Sequence, residues 1–118
     1  MINPSALRRG SIWYFDPDPT MGHEQSKRRP CLIISADEYN QGKAGLVVVL
    51  PITSKKRELY WHVTLSSQES GLEQLSYIIC DQPRAISCQR LSGKMVGFIS
   101  DCTMDSVEER VKNLLNFF

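Results

Sequence analysis

Residues 22–35 read Gly22-His23-Glu24-Gln25-Ser26-Lys27-Arg28-Arg29-Pro30-Cys31-Leu32-Ile33-Ile34-Ser35. A permissive glycine, an imidazole, a carboxylate, a side-chain amide and three consecutive cations run straight into an apolar stretch. Pro30 holds Arg29 in extended backbone and so opens a strand over residues 31–35. A glycine-entered loop that delivers Arg29 to the start of a rigid strand can set a guanidinium against a phosphate, where its planar fork binds two oxygens. Composition alone equally allows a solvated, charged hairpin loop. The rest of the chain decides between the two.

At 118 residues the chain is expected to form a single domain over residues 1–118, long enough for one real core. An apolar fraction of 42% with 23% charged residues is ordinary for a globular protein. The net charge is only +1, but residues 1–57 carry nine Lys/Arg against five Asp/Glu while residues 58–118 carry five against eight. That imbalance allows a basic face for an anionic ligand without demanding one. The cysteines, Cys31, Cys80, Cys88 and Cys102, show no C-x-x-C spacing and no paired histidines, which argues against a zinc site. Cys31 and Cys80 sit in apolar runs and read as reduced core residues. No stretch has the length and apolarity of a signal peptide or membrane span, so a soluble, cytoplasmic protein is expected.

Ser11-Ile12-Trp13-Tyr14-Phe15 is an aromatic and β-branched strand, stopped by Asp16-Pro17-Asp18-Pro19. The loop from there to Lys27 is long for a hairpin, and such loops usually carry function. Ser35-Ala36-Asp37-Glu38 is a capping-box signature for one or two helical turns, with Tyr39 expected to face the core. Residues 46–52 form an almost continuous apolar run, as in a strand buried on both faces. Further strands are expected over residues 60–65, 77–81 (continuing past Pro83 with a bend) and 95–99, with a short turn over 87–91. The clearest helix is C-terminal: Thr103 is its expected cap, and Met104, Val107, Val111, Leu114, Leu115 and Phe118 fall on one stripe that reads as core packing. Six short strands and a terminal helix make the fold mainly β, a small curled sheet or barrel with helices outside it.

Three clusters carry chemistry: Glu24 with Arg28 and Arg29; Thr53-Ser54 at the end of a buried strand; and Asp81-Gln82 with Arg84. Nucleotide-binding glycine motifs, H-E-x-x-H and G-x-S-x-G are absent from the sequence. Carboxylate, guanidinium and hydroxyl together suffice for metal-free RNA cleavage by the substrate's own 2′-hydroxyl. That reaction needs a base for the 2′-oxygen, positive charge on the developing phosphorane and an acid for the leaving 5′-oxygen.

The sequence resembles the MazF/PemK family of toxin ribonucleases. The likeness runs from Arg9-Gly10-Ser11-Ile12-Trp13 through Asp18-Pro19, residues 22–30, Pro51-Ile52-Thr53-Ser54 and Asp81-Gln82-Pro83-Arg84 to the amphipathic helix. It implies an SH3-like barrel of the PemK/CcdB type, assembled as a homodimer, that cuts single-stranded RNA, often mRNA, and is silenced by a cognate, MazE-like antitoxin. No cofactor or metal is implied. The family's essential arginine and threonine fall on Arg29 and Thr53. Its motif carboxylate falls on Glu24, which either orients Arg29 or serves as the base. His23, Gln25, Lys27, Arg28, Ser54, Lys55, Lys56, Asp81, Gln82 and Arg84 are the expected RNA-binding residues. Lys55, Lys56 and Arg57 form either a solvated loop or a phosphate track. One departure is visible. Some PemK-type members carry an arginine two residues before the aspartate aligned with Asp81, and this chain has Ile79 there. Arg29 must therefore take more of the load. A CcdB-like, non-catalytic binder of DNA gyrase is the competing reading, because the two share a fold.

Overall fold

Three neighbouring strands set the architecture: β1 (Ser11–Phe15), β2 (Arg29–Ile33) and β3 (Leu46–Thr53). They appear in a computed structural model that describes residues 3–16 and 28–117. Side chains alternate faces along a strand, and here both faces are covered. Ile12, Leu32, Leu50 and Ile52 enter one buried cluster, which also holds Val63, Ile78 and Val107. Trp13, Phe15, Cys31, Ile33, Val47 and Val49 enter a second, with Leu7 and Ile86. This is why residues 31–33 and 46–52 read as unbroken apolar runs. Burial pushes the thiols of Cys31 and Cys80 up to about 12, so both are inert core residues.

The remaining strands and α-helices among the described residues are α1 (Asp37–Asn40), β4 (His62–Leu65), α2 (Ser67–Ser70), β5 (Ser76–Ile79), β6 (Arg84–Ser87), β7 (Leu91–Phe98) and α3 (Asp101–Leu115), with short 3-10 turns at Pro4–Ala6 and Cys88–Arg90. The seven strands are all antiparallel, in the order β4-β5-β3-β2-β1-β7, with β6 also on β3. One more strand is present than the sequence suggests. The segment after Pro83 does not prolong β5; it turns and pairs with Val49 back to Leu46 on β3, while β5 pairs with Ile52 and Thr53. A single long strand thus serves two partners on one side, which requires the sheet to bend. β7 bends too, since its register against β1 shifts between Ile12 and Tyr14.

The curled sheet is closed by α2. This helix ends at Gly71 (φ 78), and the backbone around it presses against β7: a Cβ on Gly71 would fall under 3.0 Å from the Val96 carbonyl oxygen, and one on Gly97 equally close to that of Ser70. Glu69 pins the same corner to α3, accepting from Ser100 N (2.5 Å) and the Thr103 hydroxyl (3.0 Å). Burial alone would raise the Glu69 carboxyl, but those hydrogen bonds outweigh it and hold its pKa below the usual value.

Three local expectations need correction. Ser35 does not cap α1; its hydroxyl accepts from Val48 N (2.9 Å) and bonds to the Asn40 side chain. Asn40, not Tyr39, is the buried residue, and its amide donates to Leu7 O and Ser35 O at 2.9 and 3.1 Å. Tyr39 is 41% exposed. The cap of α3 is Ser100 rather than Thr103, whose own N–H donates to Ser100 Oγ. Along α3 the stripe splits. Val107 is buried with Met104 and Val111 packed beside it, whereas Leu115 is 48% exposed. Phe118, the last residue of the stripe, lies outside the described residues. Among the described residues, no helix is long and apolar enough to cross a membrane.

If the contact between Gly97 and Ser70 closes the sheet, Gly97→Ala should cost about 2–3 kcal/mol and lower Tm by roughly 10 °C. Gly45, at φ 68 with open space around it, provides the comparison: Gly45→Ala should lose only about 1 kcal/mol. Equal losses in thermal melts would rule out this closure.

Candidate functional site

Arg29 is the first residue of β2 and Thr53 the last of β3. The two strands pair through Cys31 with Pro51, and two more residues of that register set Arg29 across from Thr53. On its other side Arg29 pairs with Phe15, the end of β1. Pro30 explains why the polar residue stands at the strand's mouth: it sits opposite Tyr14 and begins the covered part of the strand. Thr53 is half-buried, and its Oγ1 accepts from Lys55 N at 3.1 Å. With that lone pair engaged by the turn, the hydroxyl hydrogen is free to be donated elsewhere.

Two depressions meet at this pair. The first, about 390 Å³, is lined by Arg29 and Thr53 together with Phe15, Gln82 and Arg84. The Arg84 guanidinium lies 5.8 Å over the Phe15 ring, so two cations flank one aromatic at the sheet's end. The second, about 570 Å³, is again lined by Arg29 and Thr53, here with Tyr14, Glu73 and Gln74. Phe15 and Tyr14 are consecutive on β1 and face opposite ways. The depressions therefore open on the two sides of the sheet, with Arg29 and Thr53 on the ridge between them.

The sequence-predicted residues divide accordingly. Arg29, Thr53, Gln82 and Arg84 come together, and Ser54 lines the second depression. Arg28 points elsewhere, donating to Ser92 Oγ on β7 at 2.9 Å. Lys55 and Lys56 are exposed on the turn beyond Thr53, with Lys56 Nζ 3.8 Å from Glu58. Asp81 is exposed just after β5 and lines neither depression. His23, Glu24, Gln25 and Lys27 lie outside the described residues, as do Gly22 and Asp18-Pro19. Phe15, Glu73 and Gln74 were not singled out from sequence. Phe15 stood as one more apolar strand residue, and Glu73 and Gln74 carry no motif: the fold alone brings the turn between α2 and β5 beside Thr53. Among the described residues, no three His, Cys, Asp or Glu side chains cluster as metal ligands would.

A guanidinium pair, a hydroxyl and an amide at one sheet end are donors of the kind that phosphate oxygens accept. The family model of the PemK-like, MazF-like toxin of type II toxin-antitoxin systems matches residues 8–115. The chain is 34% identical over 114 residues to the endoribonuclease PemK of Escherichia coli, covering 94% of this chain and 84% of that protein. It is 32% identical over 111 residues to the endoribonuclease MazF9 of Mycobacterium tuberculosis, covering 90% and 93%. Among solved structures, a MazE-MazF complex from Deinococcus radiodurans superposes with a TM-score of 0.79 at 25% identity, covering 94% of this chain and 96% of that one. The chain belongs to the PemK-like, MazF-like toxin family. Its fold is that of the MazF toxins, and the matches favour the ribonuclease reading over the gyrase-binding one.

Proposed function

We propose that this toxin endoribonuclease, acting as one domain in the cytoplasm, cuts single-stranded RNA, mRNA above all, by attack of the substrate's 2′-hydroxyl on the adjacent phosphate. The observation that carries the proposal is the meeting of Arg29 and Thr53 on one ridge, with Arg84 and Gln82 beside them. The 2′-oxygen loses its proton to a base, forms a bond to phosphorus, and the bond to the 5′-oxygen breaks as that oxygen takes up a proton. The products are a 2′,3′-cyclic phosphate and a 5′-hydroxyl. Arg29 stabilises the charge that builds on the non-bridging oxygens, Thr53 donates a hydrogen bond to the same group, and Arg84 holds a neighbouring phosphate. Glu24 either orients Arg29 or accepts the 2′-proton.

His23, Gln25, Lys27, Ser54, Lys55, Lys56 and Gln82 extend the RNA track, whereas Arg28 is held by Ser92 and Asp81 lies off both depressions. The cations of residues 27–29 and 55–57 also suit an acidic, extended antitoxin segment, which would block RNA by occupying the same charge. Cognate antitoxin complexes of the related toxins support that partner. The active form is a homodimer. Its support on this chain is the half-exposed apolar pair Met95 and Phe98, which border a groove of about 1040 Å³ away from the ridge.

Arg29→Ala and Thr53→Ala should each lower the cleavage rate by ~10²–10³ while melting like the wild type. Near-full activity in either folded variant would remove these assignments. An oligoribonucleotide with one 2′-deoxy sugar on the 5′ side of the scissile phosphate should resist cutting completely, and EDTA should leave the parent substrate's rate unchanged. Cleavage of the deoxy strand, or inhibition by EDTA, refutes internal attack. Light scattering at micromolar concentration should give twice the 13.4 kDa mass; a stable, active monomer would sink the dimer.

A further inference from the structure

Glu73 is out of place in a site built to hold phosphates. Glu73 is exposed and lines the second depression together with Arg29 and Thr53, where its negative charge opposes any phosphate bound on the ridge. Among the described residues it makes no ion pair. Nor is it on a loose loop. Leu72 beside it is buried, with its N–H donating to Ser70 Oγ at 2.9 Å, and Gln74 O accepts from the buried Ser76 hydroxyl at 2.9 Å. Gly71 at the head of the turn lies against the Val96 carbonyl. A well-held turn therefore carries Glu73 and Gln74 on the lining of the depression, which the 36%-exposed Tyr14 also lines. At about 570 Å³ it is within the size range of small-ligand sites.

Single-stranded RNA is read by stacking a base on an aromatic ring and hydrogen bonding its Watson–Crick edge. We infer that the depression is a base-reading subsite for guanine, on the nucleotide next to the scissile phosphate, with Tyr14 stacking the base and Glu73 and Gln74 reading its edge. An ionised carboxylate only accepts hydrogen bonds. Guanine offers it two parallel donors, N1–H and the 2-amino group, whereas adenine and cytosine offer one amine and uracil flanks its single N–H with two repelling oxygens. The Gln74 amide can donate to O6 while Glu73 takes the two donors. The carboxylate thus becomes a selective element: it disfavours phosphate alone and is compensated only by the right base.

The subsite rests on the RNA-cleaving reading above, and the test separates the two. The wild-type chain, Glu73→Ala and Arg29→Ala are each incubated with an RNA pool randomised in sequence, and the new 5′-hydroxyl ends are mapped. Guanosine should dominate one of the two positions flanking the cut in the wild type, and that dominance should fall ~10–100-fold in Glu73→Ala. In a defined substrate, inosine at that position lacks only the 2-amino group. It should slow the wild type about tenfold and make no difference to Glu73→Ala. Tyr14→Leu should raise KM for both substrates more than it lowers kcat. Cleavage that depends on Arg29 but shows no guanosine at either flanking position, or an unchanged preference in Glu73→Ala, overturns the subsite alone. Absence of Arg29-dependent cleavage overturns the functional reading and the subsite with it.

Discussion

Burial of β1, β2 and β3 on both faces is the constraint from which the rest of the molecule follows. With Ile12, Leu32 and Leu50 packed on one side and Trp13, Cys31 and Val49 on the other, these strands have no solvated face for a polar side chain. Charged residues on them are admitted only where the cover ends. Arg29 and Thr53 occupy two such ends, side by side because antiparallel pairing brings the start of one strand to the finish of the next. The site's position follows from where the apolar cover stops.

The same constraint shapes the electrostatics. A chain of net charge +1 does not attract a polyanion by its overall field, but cations confined to one end of a low-dielectric sheet act locally. Arg29 and Arg84 share that end around Phe15. Arg28 is drawn off towards β7 by Ser92, and Arg9 pairs with Glu108 on α3. These last two cations hold elements together, and the sequence does not distinguish them from the arginines of the ridge.

What could be read from the sequence, and what could not, divides on physical lines. Unbroken apolar runs announced the doubly buried strands, and Pro30 and the strand-end Thr53 announced the ridge, because each signal is local. Ser35 and Thr103 misled because a hydroxyl near a helix start has several partners available: Ser35 took Val48, and Ser100 capped α3 instead of Thr103. Tyr39 looked like the core residue of α1, yet the buried position belongs to Asn40, whose amide satisfies Leu7 and Ser35 carbonyls that an aromatic ring could not. Glu73 and Gln74 were illegible for another reason. They are about twenty residues from Thr53 in the chain, and the pairing of β5 with the end of β3, Tyr77 beside Thr53, makes them its neighbours.

The closure of the sheet through α2 separates two things that evolution usually has to change together. The turn after α2 is held by backbone contacts at Gly71 and Gly97 and by the buried side chains of Ser70, Leu72 and Ser76. The side chains of Glu73 and Gln74 are exposed and, among the described residues, make no hydrogen bond or ion pair that holds it. Exchanging these two side chains should therefore cost the fold little while the barrel stays fixed. If these two side chains read a base, as inferred above, the recognised sequence can change at two codons without rebuilding the scaffold.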